Sequence, residues 1–241
     1  LIPSGDRLGE GPCWAAAESR LYWFDIKNSR LCWHSTETGR HGEWTLPVRA
    51  SAGAPRASGG LIVATEAGLA WVNTKTGDLT MIKPVTHDPG FRSNDGKIDV
   101  KGRFWWSIMD DNGGERPGCV YRTDPNGKTE RVLDGVHIAN TLAVSPDGGT
   151  LYLADSKLGV MSAYSIDEKG KLGEPRSFVD LSDELGTPDG SAIDAEGYLW
   201  NAQWGASRVV RYAPDGSIDR IVPMPVEQPT SCAFGGPGLS I

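Results

Sequence analysis

The chain has 241 residues, among them 31 Gly and 16 Pro, and carries a formal net charge of −7. An acidic chain without basic clusters argues against binding a phosphate backbone, and no apolar run approaches the ~20 residues of a membrane-spanning helix. Cys13, Cys32, Cys119 and Cys232 form no CxxC pair, so they read as reduced thiols packed in strands, not as a zinc knuckle or a disulfide framework.

The expected elements are short strands that recur in phase. Apolar cores stand at Leu21-Tyr22-Trp23, Leu61-Ile62-Val63-Ala64, Phe104-Trp105-Trp106, Leu151-Tyr152-Leu153-Ala154 and Leu199-Trp200-Asn201-Ala202, spaced about 40 to 48 residues apart, the period of four-stranded propeller blades. Each is followed by a turn containing glycine: Thr38-Gly39, Thr76-Gly77, Asn126-Gly127, Lys169-Gly170 and Asp215-Gly216. Such pairs supply the positive φ of tight hairpins. Inner turns at Asp99-Val100-Lys101-Gly102-Arg103, Ser145-Pro146-Asp147-Gly148 and Asp194-Ala195-Glu196-Gly197-Tyr198 keep the same phase. No stretch sustains helical periodicity. The expectation is one all-β domain spanning residues 1–241, a six-bladed β-propeller. The sequence starts at Leu1 without a methionine, and a sixth core would begin only at Gly238-Leu239-Ser240-Ile241. The last blade is therefore expected to be incomplete here, with the native chain continuing past Ile241.

Four polar motifs lie in segments that read as loops ahead of the innermost strands. They are Leu8-Gly9-Glu10-Gly11-Pro12, Arg92-Ser93-Asn94-Asp95-Gly96-Lys97, His137-Ile138-Ala139-Asn140-Thr141-Leu142 and Thr187-Pro188-Asp189-Gly190-Ser191. Singly, each is an ordinary turn or a solvated carboxylate. In a propeller, however, equivalent positions of different blades meet at the mouth of the central channel, so Glu10, Asn140 and Asp189 would face one another. Two carboxylates held that close repel each other unless a cation compensates. A hard divalent ion bound by oxygens answers that need, and Ca²⁺, Mg²⁺, Mn²⁺, Zn²⁺ and Fe²⁺ all suit two carboxylates and an asparagine.

Gly9-Glu10-Gly11-Pro12 with Trp14, Asn94-Asp95-Gly96-Lys97 with Asp99, Gly102-Arg103-Phe104-Trp105, Ala139-Asn140 and Pro188-Asp189-Gly190 with Asp194 carry a resemblance over nearly the whole chain. In them the chain resembles the gluconolactonase, regucalcin and senescence-marker-protein family of sugar lactonases, which are six-bladed propellers. The resemblance implies a divalent metal held by Glu10, Asn140 and Asp189, with Asn94 joining the ion's shell or holding the sugar. It also implies Arg92 as the substrate-binding arginine, and it points to Glu115, in a variable loop over the mouth, as a further substrate contact. Thr141 stands where the family more often has glycine, which singles out the backbone beside Asn140.

The expected activity is metal-dependent hydrolysis of a sugar lactone, opening an aldonolactone to its aldonic acid. A metal at the carbonyl oxygen would stabilise the charge that develops there, and Asp189 would be the general base, with a metal-bound hydroxide as its rival. No Gly-x-Ser-x-Gly elbow is present, and His34, His41, His87 and His137 lack triad or HExxH spacing. His137 reads as a structural group, with proton delivery to the departing ring oxygen as its other reading, and Trp204 as a face on which a sugar stacks. The expected partner is a small-molecule sugar lactone, with no nucleic acid and no membrane. The expected compartment is the cytoplasm, the periplasm remaining open. Two other functions stay in view: a calcium-dependent propeller hydrolase of organophosphates or other lactones, and a non-enzymatic calcium-binding or interaction propeller.

Overall fold

The computed structural model describes residues 2–236 and 238. Within them the chain forms five four-stranded antiparallel sheets. The first holds β1 (Gly9–Ala15), β2 (Arg20–Asp25), β3 (Arg30–Ser35) and β4 (His41–Thr45); the second holds β5 (Ala50–Pro55), β6 (Leu61–Thr65), β7 (Gly68–Val72) and β8 (Leu79–Pro84). The third holds β9 (Phe91–Ile98), β10 (Phe104–Asp110), β11 (Gly118–Thr123) and β12 (Thr129–Val136). The fourth holds β13 (Ala139–Val144), β14 (Thr150–Asp155), β15 (Val160–Ile166) and β16 (Leu172–Asp180), and the fifth β17 (Thr187–Ile193), β18 (Leu199–Trp204), β19 (Arg208–Tyr212) and β20 (Ile218–Pro223). The first strands β1, β5, β9, β13 and β17 pack against one another in turn, so the sheets are blades around a common axis. The only helices among the described residues are two single 3-10 turns, Ala16–Glu18 and Ile26–Asn28.

The expected six blades are corrected to five. After β20 no described residue enters a sheet, and Pro225 and Pro229 lack the backbone donors a ladder needs. The chain instead crosses between the first and last blades: Gly190 N–H donates to the Thr230 carbonyl at 2.8 Å, and Thr230 Oγ1 donates to the Gly9 carbonyl at 2.5 Å. The expected sixth core at Leu239-Ser240-Ile241 lies outside the described residues.

The five apolar cores all fall in the second strand of a blade. These strands are covered on both faces by neighbouring blades, so they read as continuous apolar runs; in β10 every residue is buried. Outermost strands behave oppositely: β4 alternates exposed and half-buried residues, and β20 is almost wholly exposed. Trp105 and Trp106 are both fully buried, each removing apolar area on the order of 5 kcal/mol from water, and Trp106 stacks on Tyr121 at 4.6 Å. The glycine turns behave as expected, since Gly39, Gly77, Gly127, Gly170 and Gly216 all have positive φ. At Gly77 the absent side chain also makes room for a neighbour: a Cβ there would sit 2.3 Å from the Trp44 ring.

Asp99 and Asp194 hold equivalent turns together. Asp99 Oδ2 accepts from Arg103 Nε at 2.6 Å and Trp105 Nε1 at 2.9 Å; Asp194 Oδ2 accepts from Trp200 Nε1 and Arg211 Nε, both at 2.9 Å. The matching Asp and Trp of the sequence motifs thus serve the far end of the blades, away from the polar mouth.

Candidate functional site

Each blade's first strand carries an irregularity at the same level. Register against the second strand slips between Glu10 and Cys13 in β1, between Asn140 and Ala143 in β13, and between Pro188 and Ser191 in β17. In the third blade, Trp106 pairs with Gly96 and Ile108 with Ser93, leaving Asn94 and Asp95 in the slip. These are β-bulges, which bend a strand and re-aim its side chains. The four site candidates are therefore strand residues, not loop residues as their sequence suggested. Glycine and proline read as loop because a bulge uses the same residues: Gly11, inside the first bulge, has φ 56°. In the fourth blade the same job falls to Thr141 at φ 76° and Leu142 at φ 38°, unusual angles for side chains of their size.

The bulges bring Glu10, Arg92, Asn94, Asn140 and Asp189 to one end of the channel, all buried. A hydrogen-bonded belt connects them across the blades. Arg92 Nη1 donates to Asn94 Oδ1 at 2.7 Å and to the Ser93 carbonyl at 2.9 Å. Asn94 Nδ2 donates to Asn140 Oδ1 at 2.8 Å, Asn140 Nδ2 to Ser156 Oγ at 2.9 Å, and Ser156 Oγ to the Pro188 carbonyl at 2.5 Å. Thr141 Oγ1 donates to the Asp189 carbonyl at 2.9 Å. Each amide thus has one orientation that satisfies its neighbours, and the belt fixes the mouth before any ligand arrives.

Negative charge is in excess inside the belt. Burial raises the Glu10 carboxyl well above the ordinary carboxylate range, Asp189 and Asp95 raise it further, and the Gly11 N–H and Arg92 only partly oppose them. Asp189 is raised in the same way, by burial and then by Asp95. Asp95 is itself raised by burial against Lys97 and the N–H groups of Gly96 and Thr141, and its Oδ2 is buried without a hydrogen-bond partner.

A hard divalent cation fits these donors. Among the described residues Glu10 Oε2 accepts only from the Gly11 N–H at 3.3 Å and Asp189 Oδ1 only from the Gly190 N–H at 3.0 Å. Asn140 Oδ1 has a second lone pair beyond the one Asn94 uses. Among the described residues no three Asp, Glu, His or Cys side chains converge closely enough to hold an ion, so a site here needs the Asn140 amide oxygen as well as the two carboxylates.

Glu115 is exposed and, among the described residues, bonds to none of the others. The carboxylate that its loop brings to the site is Asp111, whose Oδ1 accepts from Arg92 Nε at 2.6 Å. His137 lies beside the site with Nδ1 3.2 Å from Asp155 Oδ2. Trp204 ends β18 and is 42% exposed. Two more aspartates support the site from behind. Asp25, closing β2, accepts from the N–H groups of Arg7 and Leu8 at 3.2 Å each; Asp155, closing β14, accepts from His137 N–H at 2.9 Å and Ile138 N–H at 3.2 Å. Each anchors the backbone two residues ahead of a site residue, Glu10 in one blade and Asn140 in another. Their recurrence as Trp-Phe-Asp and Leu-Ala-Asp at the ends of two apolar cores is the sequence signal that could have found them.

The molecule is thus a β-propeller whose channel mouth gathers two buried carboxylates, two amides and a guanidinium. Residues 8–241 match the family described as SMP-30/Gluconolactonase/LRE-like region, and the chain belongs to that family. It is 36% identical over 244 residues to the L-arabinolactonase of Azospirillum brasilense, covering 99% of this chain and 81% of that protein. It is 34% identical over 239 residues to the 6-deoxy-6-sulfogluconolactonase of Pseudomonas putida, covering 96% and 80%. Its structure matches that of a calcium-binding protein, regucalcin, from Agrobacterium tumefaciens strain C58, with a TM-score of 0.93, 34% identity and coverage of 97% and 80%. The two lactonases are hydrolases of lactone esters by name.

Proposed function

We propose that this chain is a divalent-metal-dependent sugar lactonase that opens an aldonolactone to its aldonic acid. The observation that carries the reading is the convergence of Glu10, Asn140 and Asp189, from three blades, in a buried mouth with surplus negative charge. Those three residues would hold the ion, and calcium is the ion named for the regucalcin relative. When bound, it would supply Lewis-acid stabilisation of the charge developing on the lactone carbonyl oxygen.

The chain's own residues do the rest. Arg92 and Asn94 bind the sugar, the guanidinium through its Nη2, which no described residue occupies, and the amide from its fixed place in the belt. Asp189 takes a proton from the attacking water as the new C–O bond forms, and that proton goes to the ring oxygen as the ester C–O bond breaks. In the metal-free chain burial and the neighbouring Asp95 raise the Asp189 carboxyl; beside a bound cation that rise is offset, and the group stays ionised to accept the proton. The test is hydrolysis of five- and six-membered aldonolactones followed by pH-stat, corrected for spontaneous opening. Turnover by the wild type that Asp189→Ala abolishes supports the reading; a folded Asp189→Ala protein with unchanged turnover overturns it.

A further inference from the structure

Asp111 accepts hydrogen bonds from three cationic side chains at the mouth and plays no part in the mechanism above. Its Oδ1 accepts from Lys27 Nζ and Arg92 Nε, both at 2.6 Å, and its Oδ2 accepts from Arg49 Nη1 at 2.8 Å. The three cations come from three blades: Lys27 from the turn after β2, Arg49 from the residue before β5, and Arg92 from β9. Among the described residues Glu66 is the only other carboxylate in the cluster, and it pairs with Arg49 at 2.7 Å. Burial raises the Asp111 carboxyl, but the bonds from Lys27, Arg92 and Arg49 outweigh it and hold the group well below the usual carboxylate range. The carboxylate therefore stays ionised at any working pH.

The consequence falls on Arg92. A guanidinium is planar, so bonds at two of its nitrogens fix the whole group. Here Nε is held by Asp111, and Nη1 by Asn94 and the Ser93 carbonyl. That leaves Nη2 for a ligand. Without Asp111 the attraction of Glu10 and Asp189, whose carboxyls Arg92 already lowers, would be unopposed and would draw the side chain inward.

We propose that Asp111 is a positioning residue for substrate binding: anchored by Lys27 and Arg49 of the two preceding blades, it fixes the Arg92 guanidinium so that Nη2 faces the lactone. The inference rests on the reading of Arg92 as the substrate-binding arginine. A role in stability alone would lower the amount of folded enzyme and leave KM untouched. A positioning role weakens sugar binding and leaves the bond-making groups in place, so KM moves and kcat does not.

The test compares Asp111→Asn, Arg92→Ala and the double variant on the sugar lactone that the wild type opens fastest. Asp111→Asn is expected to raise KM on the order of tenfold, with kcat within about twofold of wild type. Adding it to Arg92→Ala is expected to change KM no further, because the group it positions is gone. An unchanged KM in folded Asp111→Asn, or effects of the two substitutions that multiply, overturns the proposal. Should Asp111→Asn fail to fold, Asp111→Glu carries the test: a KM raised severalfold at constant kcat supports the clamp, and an unchanged KM overturns it. An Arg92→Ala protein with wild-type KM, or a wild type that opens no lactone, defeats the substrate reading and this inference with it. A raised KM in Arg92→Ala but not in Asp111→Asn defeats only the inference.

Discussion

Replacing Thr141 by glycine sets two effects of known size against each other. Thr141 holds φ 76°, and a non-glycine residue in the left-handed region is strained by about 1–2 kcal/mol. Glycine would relieve that strain. Against it stand the contacts of the hydroxyl, which donates to the Asp189 carbonyl at 2.9 Å and meets Ser191 Oγ at 3.0 Å. Neither partner would be stranded, because Asn201 Nδ2 also donates to both, at 2.9 and 3.0 Å. Each lost bond then weighs only its net worth of about 0.5–1.5 kcal/mol, without the larger penalty for an unsatisfied group. Removing a fully buried methyl adds about 0.8 kcal/mol, and the freedom of glycine in the unfolded chain adds about 0.5–1 kcal/mol. The contacts win, and Thr141→Gly is expected to destabilise the fold by roughly 1–3 kcal/mol. Urea denaturation measures this as a lowered midpoint at unchanged slope. Thr141→Ser keeps the hydroxyl and is expected to lie within about 1 kcal/mol of wild type. A Thr141→Gly protein as stable as wild type, or more so, would refute the reasoning, for strain would then dominate.

Further expectations concern charge and packing at the same mouth. Glu10 and Asp189 titrate higher in the folded than in the unfolded chain, so their contribution favours the metal-free fold at low pH and is lost as pH rises through the raised values. In chelator, Asp189→Asn is therefore expected to melt above wild type near neutral pH, the gap closing by about pH 4, where the unfolded aspartate titrates; a variant that melts lower at neutral pH contradicts this. On the lactone that wild type opens, Asp189→Ala is expected to reduce kcat by about 10²- to 10⁴-fold, whereas Asn94→Ala should act mainly on KM; steady-state kinetics separates the two. A Cβ on Gly190 would lie 2.2 Å from Ser231 Oγ and 2.9 Å from the Thr230 carbonyl. Gly190→Ala is accordingly expected to lose about 1–3 kcal/mol, read from the urea midpoint, by forcing the segment after β20 away from β17.

The parts of the fold that were legible in sequence are those set by local chemistry. Each apolar core marks a second strand because that strand is covered on both faces and its side chains are apolar, whereas the equally buried first strands carry the polar site motifs, and each glycine turn marks a hairpin because the hairpin demands positive φ. The blade count was not legible: it rested on extending the period to Leu239-Ser240-Ile241, which lie outside the described residues, whereas the described residues form five sheets. The meeting of Glu10, Asn94, Asn140 and Asp189 at one end of the channel followed from their shared place in the repeat. Their location within strands did not, since Gly-Glu-Gly-Pro and Thr-Pro-Asp-Gly spell a turn and a bulge alike. Asp111 was invisible for another reason. Its partners Lys27, Arg49 and Arg92 stand 84, 62 and 19 residues away, and only the packing of three blades tells Asp111 apart from Glu115 in the same loop.

The central claim, that Glu10, Asn140 and Asp189 hold an ion required for opening a lactone, is tested most directly by metal titration. Chelated protein would be titrated calorimetrically with single divalent ions, with lactone opening followed by pH-stat at each point. One ion bound per chain, turnover returning in proportion to it, and loss of both in Glu10→Gln and Asn140→Ala are the expected results. Full turnover by chelated protein that holds no ion would contradict the account.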